Sequence, residues 1–319
     1  GVLDDLANPE AYPPGALKVP DDVELEAGRP APVEETPFAL VDTVPQLRAL
    51  AERLRDCAEL AIDLEAHQYH SFLGFSCLMQ LSSRHEDAVI DTLALRSHIG
   101  PVLGPLLADP KITKVLHGSD GDVMWLQRDF GCFLANVFDT GQASRVLGYP
   151  SAGLAYVLKR HLDLSPDKRY QLADWRVRPL TPGMLAYARG DTHSLLHVHD
   201  VLKQELQEHA LEHVVPTLVP LDWQPPAAGS CEASPALLLV LERSRRICLQ
   251  SYAGERWSLE SCFAQARRAQ TSFADPALSA FVALHRWRHA LARRMDESTG
   301  AVLSRGPLER LAALQPSSA

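Results

Sequence analysis

The sequence predicts an α/β layer fold, a mixed sheet flanked by helices. Three observations carry this. Strand-like apolar runs and helical periods alternate between residues 38 and 162. Three short strands over 59–91, joined by short turns, suggest an antiparallel meander. Helix ends are marked by breakers, Asp109-Pro110 after a helix at 98–107 and Gly131 after one at 120–130.

Each element follows from its residues. Residues 1–36 are rich in Pro, Gly, Asp and Glu with no sustained period, which predicts an extended N-terminal arm. Phe38–Val41 reads as a strand, and Asp42-Thr43 before Val44-Pro45 as a helix start followed by Leu47, Leu50, Ala51 and Leu54 at helical spacing. A strand at 59–65 comes next, then a loop from His67 to Phe75, then strands at 77–81 and 88–91. Helices at 98–107, 120–130, 140–147 and 153–162 alternate with strands at 113–116 and 136–138. Lys168–Leu180 is basic, aromatic and irregular. Thr181 as N-cap and Pro182 at the first helical position then open one helix, which runs through Tyr187, Asp191 and His197 to about Glu208. Pro216 to Pro235 reads as a linker, and 236–319 as helical with a break at Asp275-Pro276.

The 319 residues leave room for about two domains, and 46% hydrophobic content supports a sizeable core. The net charge of −9 argues against gripping nucleic acid by diffuse positive charge. Any such grip must come from a local site helped by a few Lys and Arg. The six cysteines contain no C-x-x-C pair, so free thiols in a reducing compartment, cytosol or nucleus, are expected. No apolar run reaches the ~20 residues of a membrane span. The chain opens at Gly1 rather than Met and shows no signal-peptide pattern, as a fragment would. P-loop, G-x-S-x-G and paired zinc-cysteine motifs are absent from the sequence.

The candidate chemistry is acidic. Asp63 and Glu65 lie two apart on a strand and so project to one face, where burial without a positive partner is costly. A divalent ion would supply that partner. Asp120 and Asp122 open a helix at a strand-to-helix turn; one of the two is expected to serve the helix start alone. Tyr187 and Asp191 lie four apart on one helix face. Taken singly, each pair also fits an ordinary strand end, helix start or amphipathic helix. His193, His197 and His199 invite a zinc reading, but the acids suit a hard, oxygen-loving ion better, and a solvated or partly buried helix face is expected for the histidines. Trp175 with Arg176 and Arg178 could stack a base and neutralise phosphate, or plug a core edge; Lys168 and Arg169 are equally open.

The order of these signals, D-x-E on a strand, D at a helix start, then Y-x-x-x-D on a later helix, resembles the tyrosine-bearing branch of the DEDD exonucleases. The segments AIDLE, SFLGFSCLMQLSS, VIDTLALR, KVLHGSDGDVMWLQRDFG, VFDT, YQLADWRVRPL and YARGDTH extend the resemblance to the RNase D-like exoribonucleases of the nuclear exosome, the exosome component 10 type, from about residue 30 onward. LHRWRHALARRMDESTGAVLS (Leu284–Ser304) resembles the opening of an HRDC module, the helical domain that follows the nuclease in this family, here apparently truncated. The resemblance implies an RNase H-like mixed sheet at 37–215, linker and connecting helices at 216–270, and a partial HRDC domain at 271–319. It implies a 3′–5′ exoribonuclease that uses two divalent cations, Mg²⁺ with Mn²⁺ as the alternative and no zinc. The single-stranded RNA would be released as nucleoside 5′-monophosphates in processing of ribosomal RNA and in nuclear RNA decay. Asp63, Glu65, Asp122 and Asp191 would hold metal and Tyr187 would orient the attacking water. His67, Tyr69, His70, Trp175 and Arg176 are candidate substrate contacts. The implied partners are RNA and the nuclear exosome core with its cofactors, not a membrane, and the implied location is the nucleus, with enrichment in the nucleolus. Gly190 stands where the family has an acid, which costs the helix roughly 0.5–1 kcal/mol relative to alanine. Ser194 stands where an aromatic is common. The alternatives are a DNA 3′–5′ exonuclease and a catalytically inactive RNA-tethering subunit.

Overall fold

The computed structural model describes residues 14–225, 233–268 and 277–314. They divide into two compact units, one built from the residues up to 65 together with 76–252, the other from 66–75 together with the residues from 253 on.

The first unit holds a six-stranded sheet. Its strands are β1 (Phe38–Val41), β2 (Glu59–His67), β3 (Phe75–Ser82), β4 (Asp87–Asp91), β5 (Thr113–Leu116) and β6 (Val137–Asp139), in the order β1-β4-β3-β2-β5-β6. β3 and β4 pair antiparallel, with Met79 opposite Ile90. β1 runs parallel to β4, and β5 runs parallel to both β2 and β6. The sheet is therefore mixed. The acidic strand β2 lies inside it, between β3 and β5.

Helices cover both faces because β2 alternates. Leu60, Ile62 and Leu64 enter one core with Leu47, Leu50 and Leu54 of α1 (Val44–Leu54), Leu95, Ile99 and Leu103 of α2 (Thr92–Leu107), and Val123 and Leu126 of α3 (Asp120–Phe130). Ala61, on the other face, enters a second core. That core contains Ala143 and Val146 of α4 (Thr140–Val146), Val157 and Leu158 of α5 (Leu154–Leu162), and the apolar stripe of α7 (Leu195–Glu208). Asp63 and Glu65 share Ala61's side of the strand. α6 (Pro182–His193) precedes α7. The second core is closed by Leu237, Leu239, Val240 and Leu241 of α8 (Pro235–Cys248), which lies within the stretch expected to be linker and connecting helices.

Three expectations are corrected. The helix expected at 98–107 begins at Thr92, because the Asp91 carboxylate caps the amides of Leu93 and Ala94, and it continues through Pro101 and Pro105. The single helix expected from Pro182 to Glu208 breaks at Ser194 (φ −99°, ψ −1°), dividing it into α6 and α7. The described part of the N-terminal arm contains two short helices, Pro14–Leu17 and Asp22–Ala27, the latter capped by Asp21 and Glu24. Residues 1–13 lie outside the described residues.

The second unit consists of α9 (Leu259–Arg268), α10 (Ala277–Met295), α11 (Thr299–Val302) and α12 (Arg305–Leu314) with the loop that follows β2. Its core is Cys262, Ala266, Phe281, Leu308 and Ala312. The break expected at Asp275-Pro276 lies outside the described residues. Cys57, Cys77, Cys132, Cys248 and Cys262 are free thiols; Cys231 lies outside the described residues. No described helix is long and apolar enough to cross a membrane.

Candidate active site

β2 carries Asp63 and Glu65 half-buried on one side while Leu64 is buried on the other. The turn after β5 brings the third acid. Gly118 sits in the left-handed region at φ +72°, where a side chain would be strained, and lets the chain reverse into α3. Asp139, at the end of β6, fixes that turn: its carboxylate accepts the amides of Gly118 (3.0 Å) and Ser119 (2.7 Å) and the Ser119 hydroxyl (2.7 Å). The same carboxylate caps α4 through Gly141 (2.8 Å) and Gln142 (3.0 Å). In the first turn of α3 Asp120 faces solvent, whereas Asp122 turns inward and is 6% exposed.

Tyr187 and Asp191 come from α6, whose start is set by the Thr181 hydroxyl accepting the Met184 amide. The four-residue spacing puts both on one face. Asp63, Glu65, Asp122, Tyr187 and Asp191 all line a single open cavity of about 880 Å³. One carboxylate oxygen from each of Asp63, Glu65 and Asp191 lies within 4.8 Å of the others.

The electrostatics are those of an uncompensated cluster. Burial pushes the Asp63 carboxyl up to about 7. Burial first, and neighbouring carboxylates second, push Asp191 up to about 8, Glu65 up to about 10 and Asp122 well above the carboxylate range. Burial, then Asp191, Glu65 and Asp63, also raises the Tyr187 phenol, so its hydroxyl stays protonated through the neutral range and can donate. An all-oxygen donor set whose members resist ionising together fits a hard divalent ion.

Other expected residues fall elsewhere. Trp175 is 1% exposed, so it is not available to stack a base; it packs with its ring centroid 6.0 Å from that of Tyr187. Its segment is anchored by Arg178, which bonds Asp91 (2.5 and 2.9 Å) and the carbonyls of Trp175 and Cys77. Arg176 is exposed and pairs with Asp174. His67, Tyr69 and His70 belong to the second unit and none of them lines the cavity. There His70 lies 3.2 Å from Glu297, and Asp296 accepts the Phe72 amide (3.0 Å) and the Ser71 hydroxyl (3.3 Å). The histidine face expected to be solvated or partly buried is more covered than that: His197 and His199 are buried, and His193 bridges Asp87 and the Ala31 carbonyl.

The cavity also takes wall residues that the sequence reading did not single out, Trp125, Tyr156, Lys159 and Gln171, and it takes Lys168. Two carried a legible signal. Trp125 lies three residues after Asp122 on α3, and Gln171 three after Lys168 around a helical turn.

A 3′–5′ exonuclease family model matches residues 38–207. The chain is 43% identical over 296 residues to protein RRP6-like 2 of Arabidopsis thaliana, covering 92% of this chain and 32% of that protein. It is 42% identical over 287 residues to exosome complex component 10 of Homo sapiens, covering 89% of this chain and 30% of that protein. It thus spans about a third of the length of these curated relatives. The crystal structure of the catalytic core of RRP6 from Trypanosoma brucei superposes with a TM-score of 0.80 at 31% identity, covering all of this chain and 80% of that one. A mixed sheet with an acidic strand at its centre, the family match across it and the likeness to a solved RRP6 core agree: the chain belongs to the 3′–5′ exonuclease family, in its RRP6 branch.

Proposed function

We propose that the chain hydrolyses single-stranded RNA from its 3′ end to nucleoside 5′-monophosphates. The observation that carries this is the gathering of four carboxylates and one phenol in a single open cavity. Asp63, Glu65 and Asp191 would hold one divalent ion, and Asp63 with Asp122 a second, Mg²⁺ before Mn²⁺. When bound, such a pair lowers the pKa of the attacking water and stabilises the leaving oxygen. The chain's own residues do the rest. Tyr187 donates a hydrogen bond that orients the water in line with the terminal phosphodiester. Lys159 and Lys168 neutralise phosphates along the wall, where the chain's overall charge of −9 gives no help. Trp125 and Tyr156 offer aromatic surface on which unpaired bases can stack.

The relatives named as exosome components support RNA as substrate and the exosome core as partner. We infer nuclear location and a role in ribosomal RNA processing from the family resemblance. Helices α9–α12 support the reading of an HRDC-type module. α8 completes the nuclease core, and the residues after it lead to that module.

The test is degradation of a 5′-labelled single-stranded RNA with and without Mg²⁺, beside a DNA strand of the same sequence and the Asp122→Asn variant. A metal-dependent ladder shortening from the 3′ end of the RNA, lost in the variant, is expected. Equal digestion of the DNA would move the reading to a general exonuclease. RNA binding without cleavage would move it to a tethering subunit.

A further inference from the structure

Gly183, Tyr187 and Asp191 follow one another at four-residue intervals along α6 and so share a face. A methyl group placed on Gly183 would lie 2.0 Å from the hydroxyl oxygen of Tyr170 and 2.7 Å from the ring carbon that bears it. The Tyr170 phenol therefore occupies the space where any other residue's side chain would begin. Its ring centroid lies 6.0 Å from that of Tyr187, and the buried Trp175 contributes the second aromatic neighbour at 6.0 Å. Lys168 and Gln171, on either side of Tyr170 in sequence, line the cavity.

A second glycine on the same helix supplies the contrast. A methyl group on Gly190 would meet nothing within 4 Å. Helix propensity favours alanine over glycine at both places. Only at 183 does something stand in the way, and that something is a ring packed against Tyr187.

We propose that Gly183 and Tyr170 form a seat that fixes the Tyr187 ring in the cavity, which makes Tyr170 a positioning residue for the hydrolytic step. The inference deepens the exoribonuclease reading and rests on it. Tyr187 acts through an oxygen at the far end of its ring, so a small tilt of the ring moves that oxygen most. Misplacement by about 1 Å can cost on the order of 10²-fold in rate.

The experiment is a double-substitution cycle in the full chain: Gly183→Ala, Tyr170→Ala and both together, with Tyr170→Phe as the conservative variant. Three quantities are read: kcat and KM on single-stranded RNA, Tm, and hydrogen–deuterium exchange of the segment 168–175. Gly183→Ala is expected to lower kcat roughly 30-fold with KM changed less than about 3-fold, to lower Tm, and to raise exchange in 168–175. Tyr170→Ala lowers kcat roughly 10-fold, and Tyr170→Phe restores it. Adding Gly183→Ala to Tyr170→Ala costs no further activity and raises Tm by about 2 °C, because the methyl group now has room. Additive losses of kcat, or kcat within about 2-fold of wild type in both single variants, overturn the seat. If the wild-type chain shows no metal-dependent degradation, the exoribonuclease reading is what fails. The seat is then decided by exchange and Tm alone. A change in the sign of the Gly183→Ala effect on Tm between the Tyr170 and Tyr170→Ala backgrounds sustains it, and the same sign in both overturns it.

Discussion

Strand β2 carries two acidic clusters on one side of the sheet, four residues apart, and they are built in opposite ways. At Asp63 the cluster is Asp63, Glu65, Asp122 and Asp191, and among the described residues none of these forms an ion pair. At Glu59 the cluster is Glu59, Asp200 and the buried His199, whose Nδ1 lies 3.6 Å from each carboxylate. There the Arg84 guanidinium bonds Asp200 at 2.6 and 2.9 Å and also bonds Glu59. Burial pushes Glu59 up, but the Arg84 guanidinium, by charge and by hydrogen bond, helps hold it below the usual carboxylate range; His199, pushed down to about 3 by burial, brings no charge at neutral pH. Asp200 stays raised, since burial there outweighs Arg84. The lesson is that nearness of carboxylates does not mark a metal site. What marks it is the missing countercharge, and the Glu59 cluster already has one.

The largest effect should come from the uncompensated cluster. Asp63→Asn or Asp191→Asn is expected to lower kcat by roughly 10³-fold or more, while the metal-free Tm above about pH 8, where these carboxyls ionise, stays level or rises because one charge of the cluster is gone. Kinetics and thermal melts on the same preparation check both halves. A loss of Tm alongside the loss of activity would break the contrast. Arg84→Ala should do the reverse. It strands one buried and one half-buried carboxylate and, allowing for the partial exposure of Arg84, is expected to cost about 2 kcal/mol of stability, read by urea unfolding, with kcat per folded molecule unchanged.

Linkage sharpens the comparison further. A carboxyl whose folded pKa is raised contributes stability that is complete below its unfolded value near 4 and is lost as pH climbs through the folded value. For Asp63, Asp191 and Glu65 those folded values are about 7, 8 and 10. The metal-free chain should therefore lose stability as pH rises from about 4 through about 10. Added Mn²⁺ or Mg²⁺ should raise Tm by about 3–5 °C more at pH 8.5 than at pH 6. An equal response at both pH values would show that the ions act elsewhere. The smallest effect is Gly190→Ala, beside Asp191 but touching no charge. It should add roughly 0.5–1 kcal/mol of stability and leave the metal response unchanged.

The acidic strand and the Tyr187–Asp191 pair were legible because each depends on local periodicity, two along a strand and about four along a helix, whereas the choice of Asp122 over Asp120 came from the family resemblance alone. The same period of two places Leu60, Ile62 and Leu64 in one core and Ala61 in the other. Tertiary relations were not legible. Trp175 could be read as a base-stacking ring because nothing in KRYQLADWRVRPL shows that Arg178 will be drawn to Asp91, 87 residues earlier. The break at Ser194 was hidden because both halves keep an amphipathic period. Lys159 and Tyr156 of α5 and Trp125 of α3 reach the cavity wall only after the two helices are packed.

Asp139 has a consequence for where this nuclease can be cut. Its carboxylate gathers five donors from the starts of α3 and α4, and its own amide donates to the Ser244 hydroxyl of α8 at 3.0 Å. Ser244 lies 37 residues past the end of the family match at 207. The same helix supplies Leu237, Leu239, Val240 and Leu241 to the core behind the acidic strand. The border of the family match and the border of autonomous folding therefore do not coincide. A chain ended at the former would expose one wall of its own interior and loosen the turn that aims Asp122, so an excised nuclease should be carried to Tyr252 at the least.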